Sequence, residues 1–310
     1  MSHPRVILLI LLAMIAFAGN SLLCRAALEN TAIDPATFTT VRLASGALML
    51  WLLVGLRRAG AAGAGNWPSA LALFAYAAGF SFAYLSLAAA TGALLLFGAV
   101  QFTMIGYGLA RGERLSRLQA GGLALALGGL CGLFLPGLTA PAPAGAALML
   151  TAGVAWGVYT LRGWASGDPL RVTAGNFLRA VPLTLALSLA ALTVAGAAAD
   201  TAGLVLAAAS GAIASGLGYA LWYAALPALR ATQGATVQTS VPVIAAAGGM
   251  LFLDEPVTLR FVLASAAILG GIALVFLTGT RPAPASPAYH AGDDLARDPK
   301  AAAGSAPGRK

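Results

Sequence analysis

Charge is scarce in this chain. Of its 310 residues only 9% are Asp, Glu, Lys or Arg, against 59% that are hydrophobic. That composition leaves too little polar surface to coat a water-soluble globule, which excludes an ordinary soluble domain. Acidic residues are scarcest: Asp and Glu occur only at 29, 34, 113, 168, 200, 254, 255, 293, 294 and 298, in expected loops, turns or tail. Both histidines, His3 and His290, are terminal. A mid-membrane proton carrier built on a carboxylate or imidazole is therefore not expected. Neither is an intramembrane enzyme, since a serine would lack an activating base and a metal its ligands. The two cysteines, Cys24 and Cys131, lie on different apolar runs with no motif joining them, so neither a disulfide framework nor a thiolate metal site is expected. No metal or cofactor is anticipated. The net charge of +8 does not indicate nucleic acid, because basic stripes interleaved with aromatics are absent.

What remains is apolar sequence in ten runs of about 20 residues, the length that spans a bilayer as a helix. They are Val6–Leu28, Ala36–Leu56, Trp67–Ala89, Thr91–Ala110, Arg117–Leu135, Ala144–Trp164, Val172–Gly196, Gly203–Ala225, Gly234–Leu253 and Leu259–Thr278. The expected fold class is an all-α membrane protein. The first run is too long, and too well followed by others, to be a cleaved leader. It carries Gly19-Asn20-Ser21, read as an interruption inside a span. Residues 281–310 are Pro- and Ala-rich without periodicity and are expected to form a disordered cytoplasmic tail.

The sequence also contains itself twice. Gly92-Ala93 and Gly112-Glu113-Arg114-Leu115-Ser116 are echoed by Gly234-Ala235 and Asp254-Glu255-Pro256-Val257-Thr258, each 142 residues later, and Gly128-Gly129 falls on Gly270-Gly271 at the same spacing. This divides the chain into a first five-helix unit, 1–138, and a second, 139–280. Loop arginines set the orientation. With the N-terminus inside, Arg5, Arg57, Arg58, Arg111, Arg114, Arg117, Arg162, Arg171 and Arg230 fall on inner loops and only Arg260 on an outer one. Both termini are thus expected in the cytoplasm. Five is odd, so the second unit is inverted relative to the first, an arrangement that supports two states open to opposite sides.

At these residues the chain resembles the drug/metabolite transporter superfamily in its EamA-type branch, whose repeats carry an acidic turn between the fourth and fifth helices. Its first helix and turn, Ala18-Gly19-Asn20-Ser21 to Arg25 and then Asp34-Pro35, are most similar to those of YddG-like exporters of aromatic amino acids. The resemblance implies a ten-helix basket around a central cavity, with the fifth and tenth helices peripheral. The acidic turns also have a structural reading. Glu113 and Glu255 favour the positive end of the helix that follows, and Ser116 or Thr258 can cap its first turn.

Polar groups inside spans need a partner or a wet cavity. Asn20 on helix one, Gln101 on helix four and Gln238 on helix nine are the candidate cavity amides. Interhelical hydrogen bonding is the alternative for each. Tyr76, Phe80 and Tyr84 stand four apart on one helical face. Tyr219 and Tyr223 flank Trp222 on helix eight, and Trp156 and Tyr159 lie on helix six. Trp51, Trp67 and Trp164 read as interfacial anchors. Midspan tyrosines differ, since each hydroxyl wants a partner that lipid cannot supply. Arg42 and Arg179 lie inside corresponding helices, two and seven. They are expected to snorkel to an interface or, alternatively, to meet a substrate carboxylate or close a gate. Pro182, Pro227 and Pro242 are expected to kink helices seven, eight and nine, with a freed carbonyl near Pro242.

The substrate-binding set is thus Asn20, Tyr76, Phe80, Tyr84, Gln101, Trp156, Tyr159, Tyr219, Tyr223 and Gln238, with Arg42, Glu113, Arg179, Pro242 and Glu255 in gating or structural roles. A cavity of rings and amides suits a flat or amphipathic solute. The expected function is inner-membrane export of small organic solutes, aromatic or neutral amino acids above all, by a facilitative or exchange-like route. A multidrug or other metabolite exporter is the alternative, and a non-transporting scaffold a remoter one. The expected partners are the solute and the bilayer. Monomer and homodimer both remain open.

Overall fold

The computed structural model describes residues 3–56, 65–87, 89–112, 115–134, 142–164, 168–229, 231–252 and 259–277. Those residues are helical, with no strand among them, and form ten rods. We number these α1 (His3–Asn30), α2 (Pro35–Leu56), α3 (Trp67–Ala83), α4 (Ala89–Ala110), α5 (Arg117–Phe134), α6 (Pro143–Trp164), α7 (Pro169–Ala195), α8 (Thr201–Ala228), α9 (Ala231–Gln238 and Ser240–Phe252) and α10 (Leu259–Leu277). Five of them (α1, α2, α6, α7 and α8) are individually long and apolar enough to cross a membrane. Their outward faces carry exposed large aliphatic residues, such as Ile7, Leu11 and Ile15 on α1 and Leu185 and Leu189 on α7. Asn20, Gln101 and Gln238 are buried. Polar inside and apolar outside is the arrangement lipid demands.

Helix starts follow from capping chemistry. Asp34, Asn66, Asp168 and Asp200 each accept an amide from the first turn of α2, α3, α7 and α8, and Pro stands within the first two positions of α3 and α7. Ser116 and Gln119 cap α5 reciprocally, each side chain taking the other's amide. Ser116 therefore caps its helix as the sequence suggests, while Glu113, Glu255 and Thr258 lie outside the described residues. Trp51 and Trp67 are more than half exposed.

Several expectations need correction. Gly19-Asn20-Ser21 does not interrupt α1, which runs unbroken from His3 to Asn30. The Asn20 amide satisfies itself on neighbouring helices, so the backbone need not open. α3 stops at Ala83 rather than near residue 89, where the Leu85 and Ser86 amides turn back three residues, onto the carbonyls of Phe82 and Ala83, in place of the four-residue helical bond. Pro227 ends α8 in a short 3₁₀ turn, Leu226–Ala228, instead of kinking it. Helix nine, by contrast, is interrupted as expected: α9 breaks at Thr239, three residues before Pro242, whose missing N–H leaves the Gln238 carbonyl without its helical donor.

Helices from the two halves interleave. α3 packs on α6 and α1 on α8; α4 packs on α6 and α1 on α9; α2 packs on α7, α4 on α9 and α5 on α10. The α5–α10 crossing is reciprocal: a methyl placed on Gly129 would meet Ala264 and Ile268, and one on Gly271 would meet Gly122 and Ala126. Only glycine lets these backbones approach so closely. Both ends are tied across the halves. At one, the Asp34 amide donates to the Ala198 carbonyl (2.8 Å) and the Ala198 amide to Asp34 Oδ2 (3.1 Å). At the other, the Asn66 amide donates to Asn176 Oδ1 (2.9 Å), and Arg162 donates to Ser69 Oγ (2.9 Å) and Asn66 Oδ1 (3.1 Å).

The spacing of corresponding landmarks changes along the chain. The capping pairs Asp34/Asp168 and Asn66/Asp200 are spaced by 134 residues, whereas Gly92/Gly234 are spaced by 142. The second half therefore holds eight more residues between Asp200 and Gly234. They lengthen α8, which runs 28 residues against 17 for α3 and contains a π-helical turn over Ser210–Leu217. Such turns recur at functional sites.

Candidate functional site

At the centre, where α1, α3, α4, α6 and α8 converge, lies a small cavity lined by Phe17, Asn20, Ser21, Tyr76, Phe80, Leu96, Phe97, Trp156 and Tyr219. Its free volume is about 10 Å³, room for one water molecule. The rings interlock around it. Trp156 lies 4.7 Å from Tyr219, 5.1 Å from Tyr76 and 5.4 Å, edge-on, from Phe17. Phe80 packs 5.5 Å from Tyr76 and stands perpendicular to Tyr84 at 4.8 Å. These separations are those at which aromatic pairs attract beyond simple burial.

Arg42 stands against this cage. Its side chain is fully buried, eight residues into α2, so it does not snorkel to an interface. Nε donates to Ser215 Oγ (3.1 Å), and Nη2 donates to the hydroxyls of Tyr76 (2.9 Å) and Tyr219 (3.4 Å). The guanidinium carbon lies 5.1 Å from the ring centres of both Tyr76 and Phe80. Nη1 has no hydrogen-bond partner among the described residues. The π turn of α8 creates this seat. It sets Ser210 on Asn20 (2.6 Å) and Ser215 on Arg42, while Gly211 packs so close to the Arg42 carbonyl and Ser45 that no side chain fits.

Of the ten residues picked from sequence, Asn20, Tyr76, Phe80, Trp156 and Tyr219 line the cavity. Asn20 Nδ2 donates to Tyr76 Oη at 3.4 Å. Tyr84, Tyr159, Tyr223 and Gln238 form a layer behind or beside it. Tyr84 packs on Phe80, and Tyr159 on Trp156 at 5.8 Å. Tyr223 donates to the Tyr159 carbonyl (3.2 Å). Gln238 accepts the Trp156 indole N–H (2.8 Å) and donates to the Gly234 carbonyl (3.1 Å), which fixes the indole. Gln101 is buried with neither end of its amide bonded among the described residues. Arg179 stays away from the cage, folding back one turn to donate to the Gly175 carbonyl (2.9 Å). The lining residues that sequence reasoning passed over are Phe17, Leu96 and Phe97. Phe17 stands three residues before Asn20 and Phe97 four before Gln101, so a helical-spacing search outward from the polar residues would have found both.

Among the described residues outside the spans, Asp34 is the group whose ionisation is shifted. Burial opposes its charge, but the Thr37 hydroxyl and the amides of Thr37, Ala198 and Ala36 outweigh it and hold the carboxyl below the usual range.

A family model described as the EamA-like transporter family matches residues 143–277. The chain is 59% identical over 279 residues to the uncharacterized protein PA1977 of Pseudomonas aeruginosa, spanning 89% of this chain and 96% of that one. A solved crystal structure at 18% identity superposes with a TM-score of 0.71 over 87% of this chain and 99% of its own, a likeness of fold alone. The chain is a multi-pass membrane protein, and its residues 143–277 are a domain of the EamA-like transporter family.

Proposed function

We propose that this transporter exports small organic solutes across the cell inner membrane, amino acids with aromatic or neutral side chains among them. It works by alternating access, driven by the solute's own gradient or by exchange. The observation that carries the reading is the central cavity itself, where rings, the Asn20 amide and guanidinium-tied phenols converge from both halves of the chain. Stacking surfaces beside a few fixed polar groups suit an aromatic solute. An aromatic molecule is far larger than 10 Å³, so the cavity must widen as it loads, as expected of an occluded carrier. In this reading Asn20, Tyr76, Phe80, Trp156 and Tyr219 touch the solute. Tyr84, Gln101, Tyr159, Tyr223 and Gln238 support them, and the break before Pro242 gives α9 its hinge.

The motion we propose is a rocking of residues 1–138 against an inverted 139–280, with both termini and the 281–310 tail in the cytoplasm. Its support is the pairing of helices, in which α3–α6 corresponds to α8–α1, α4–α6 to α9–α1, and α2–α7, α4–α9 and α5–α10 to themselves. That is the pattern a two-fold exchange of halves leaves unchanged. The reciprocal glycines at 129 and 271 obey the same exchange. The ties at Asp34–Ala198 and at Asn66–Asn176 would open in turn.

The test is uptake into liposomes carrying the purified chain, with a solute gradient and no ion gradient, over Phe, Tyr, Trp, Met, Thr, a sugar nucleotide and a quaternary amine. Flux of the aromatic amino acids supports the proposal. Flux only under a proton gradient contradicts the uncoupled mechanism, and flux of the amine alone makes the protein a drug exporter.

A further inference from the structure

We infer that the solute is held through an anionic group, a carboxylate, on the Arg42–Tyr76–Tyr219 cluster, and that an ammonium group on the solute contributes nothing. This rests on the transporter reading above and names the chemistry of its substrate.

A guanidinium keeps its proton under all ordinary conditions, so burial cannot neutralise Arg42 by deprotonation. Buried charges are instead paired, and pairing normally means a carboxylate. The acidic side chains among the described residues are Glu29, Asp34, Asp168 and Asp200, and each is engaged at a helix end: Glu29 with Arg25 and the other three as caps. Arg42 has only neutral partners, a serine and two phenols, and one terminal nitrogen without any. A permanent cation buried without a counter-ion among the described residues breaks the rule that governs the rest of this structure. Sites that break such rules are expected to be functional.

Geometry says where the counter-ion comes from. Tyr76 and Tyr219 both line the cavity and both accept from Nη2, so the positive charge lies directly behind the cavity wall. A phenol oxygen that accepts from the guanidinium can still turn an O–H toward an entering acceptor. An entering carboxylate finds two polarised hydroxyls backed by a fixed charge. Its apolar body lies among Phe17, Phe80 and Trp156. An ammonium finds no opposing carboxylate there among the described residues and meets a like charge in Arg42.

Three ligands with one phenylethyl skeleton separate the possibilities: 3-phenylpropanoate carries the anion alone, phenylalanine adds the ammonium, and phenethylamine keeps only the cation. Binding to the purified protein in detergent is read from tryptophan fluorescence and ligand-dependent thermal stability, and flux from counterflow in liposomes. The expected order puts phenylpropanoate equal to or tighter than phenylalanine, with phenethylamine at least tenfold weaker than either. Arg42→Gln is expected to lose the preference and bind neutral 3-phenylpropanamide as well as the acid, while Arg42→Lys keeps it in part. Arg179→Gln, which leaves the cage intact, is expected to match wild type. Equal or better binding of phenethylamine overturns the inference, as does an acid preference that survives in Arg42→Gln. Anion-selective binding without flux of any ligand supports the inference and contradicts the transport reading; flux of phenethylamine alone does the reverse.

Discussion

Arg42 and Arg179 have nearly the same setting in sequence, one inside the second helix of each half, and opposite surroundings in the structure. Arg42 is buried, bonded to Ser215, Tyr76 and Tyr219, with one nitrogen unmatched among the described residues. Arg179 is partly exposed and returns to the carbonyl of Gly175 on its own helix. Two features separate them. Measured from the caps Asp34 and Asp168, Arg179 stands three residues further along its helix than Arg42, nearly a turn higher. And the eight extra residues near α8 build a π turn that receives Arg42, for which the shorter α3 offers no counterpart. The two helices begin alike; the π turn of α8 makes one arginine central.

The sharpest way to break this comparison is to remove the central charge. Arg42→Gln is expected to weaken binding of an aromatic carboxylate by about 3 kcal/mol, the upper range for a hydrogen bond to a charged group, or on the order of a hundredfold in Kd. Titration followed by tryptophan fluorescence measures it directly. Next comes the seat itself. Gly211→Val puts a side chain into Ser45 and the Arg42 carbonyl, and overpacking of this kind costs about 1–3 kcal/mol of stability, seen as a lowered midpoint of thermal unfolding in detergent. The equivalent intrusion at Gly129, against Ala264 and Ile268, should cost as much but leave ligand selectivity untouched, because it acts far from the cage.

Asp34 offers a smaller, pH-dependent handle. Its folded carboxyl ionises below its unfolded value, so its contribution is present above the ordinary carboxylate range and is lost as pH falls from that range through the lowered folded value. Asp34→Ala should cost about 1 kcal/mol near neutrality, typical of a lost N-cap, and should flatten the fall in unfolding midpoint between neutral pH and about pH 3. The same variant loosens the tie to Ala198 and tests whether that end opens during turnover. Smallest of all is Arg179→Gln, expected within about 0.5 kcal/mol of wild type in stability and unchanged in ligand affinity.

Much of this was legible in sequence. The ten apolar runs match the ten rods closely, most within three residues, because hydropathy and capping residues act locally. Cavity residues at helical spacing, such as Tyr76 and Phe80, were legible for the same reason. Arg42 was the exception. Its expected escape to an interface assumed lipid around it, and only the convergence of α2, α3 and α8 shows a polar seat instead. Gln238 reads from sequence like a cavity amide, but its partners, the Trp156 indole and the Gly234 carbonyl, lie on elements that sequence cannot bring together. The π turn left no signature either. Its sole trace was a change in repeat spacing, from 134 to 142 residues, visible once the caps were located.

The account stands on the central cavity being the solute's place. The most direct measurement is a crystal structure with 3-(4-bromophenyl)propanoate, whose bromine is located by anomalous scattering. The account predicts one peak among Phe17, Phe80 and Trp156, with the carboxylate toward Tyr76 and Tyr219. A peak confined to the surface groove that Gly128 and Gly132 of α5 form with Leu259 and Leu263 of α10, with the central cage unchanged, would contradict it.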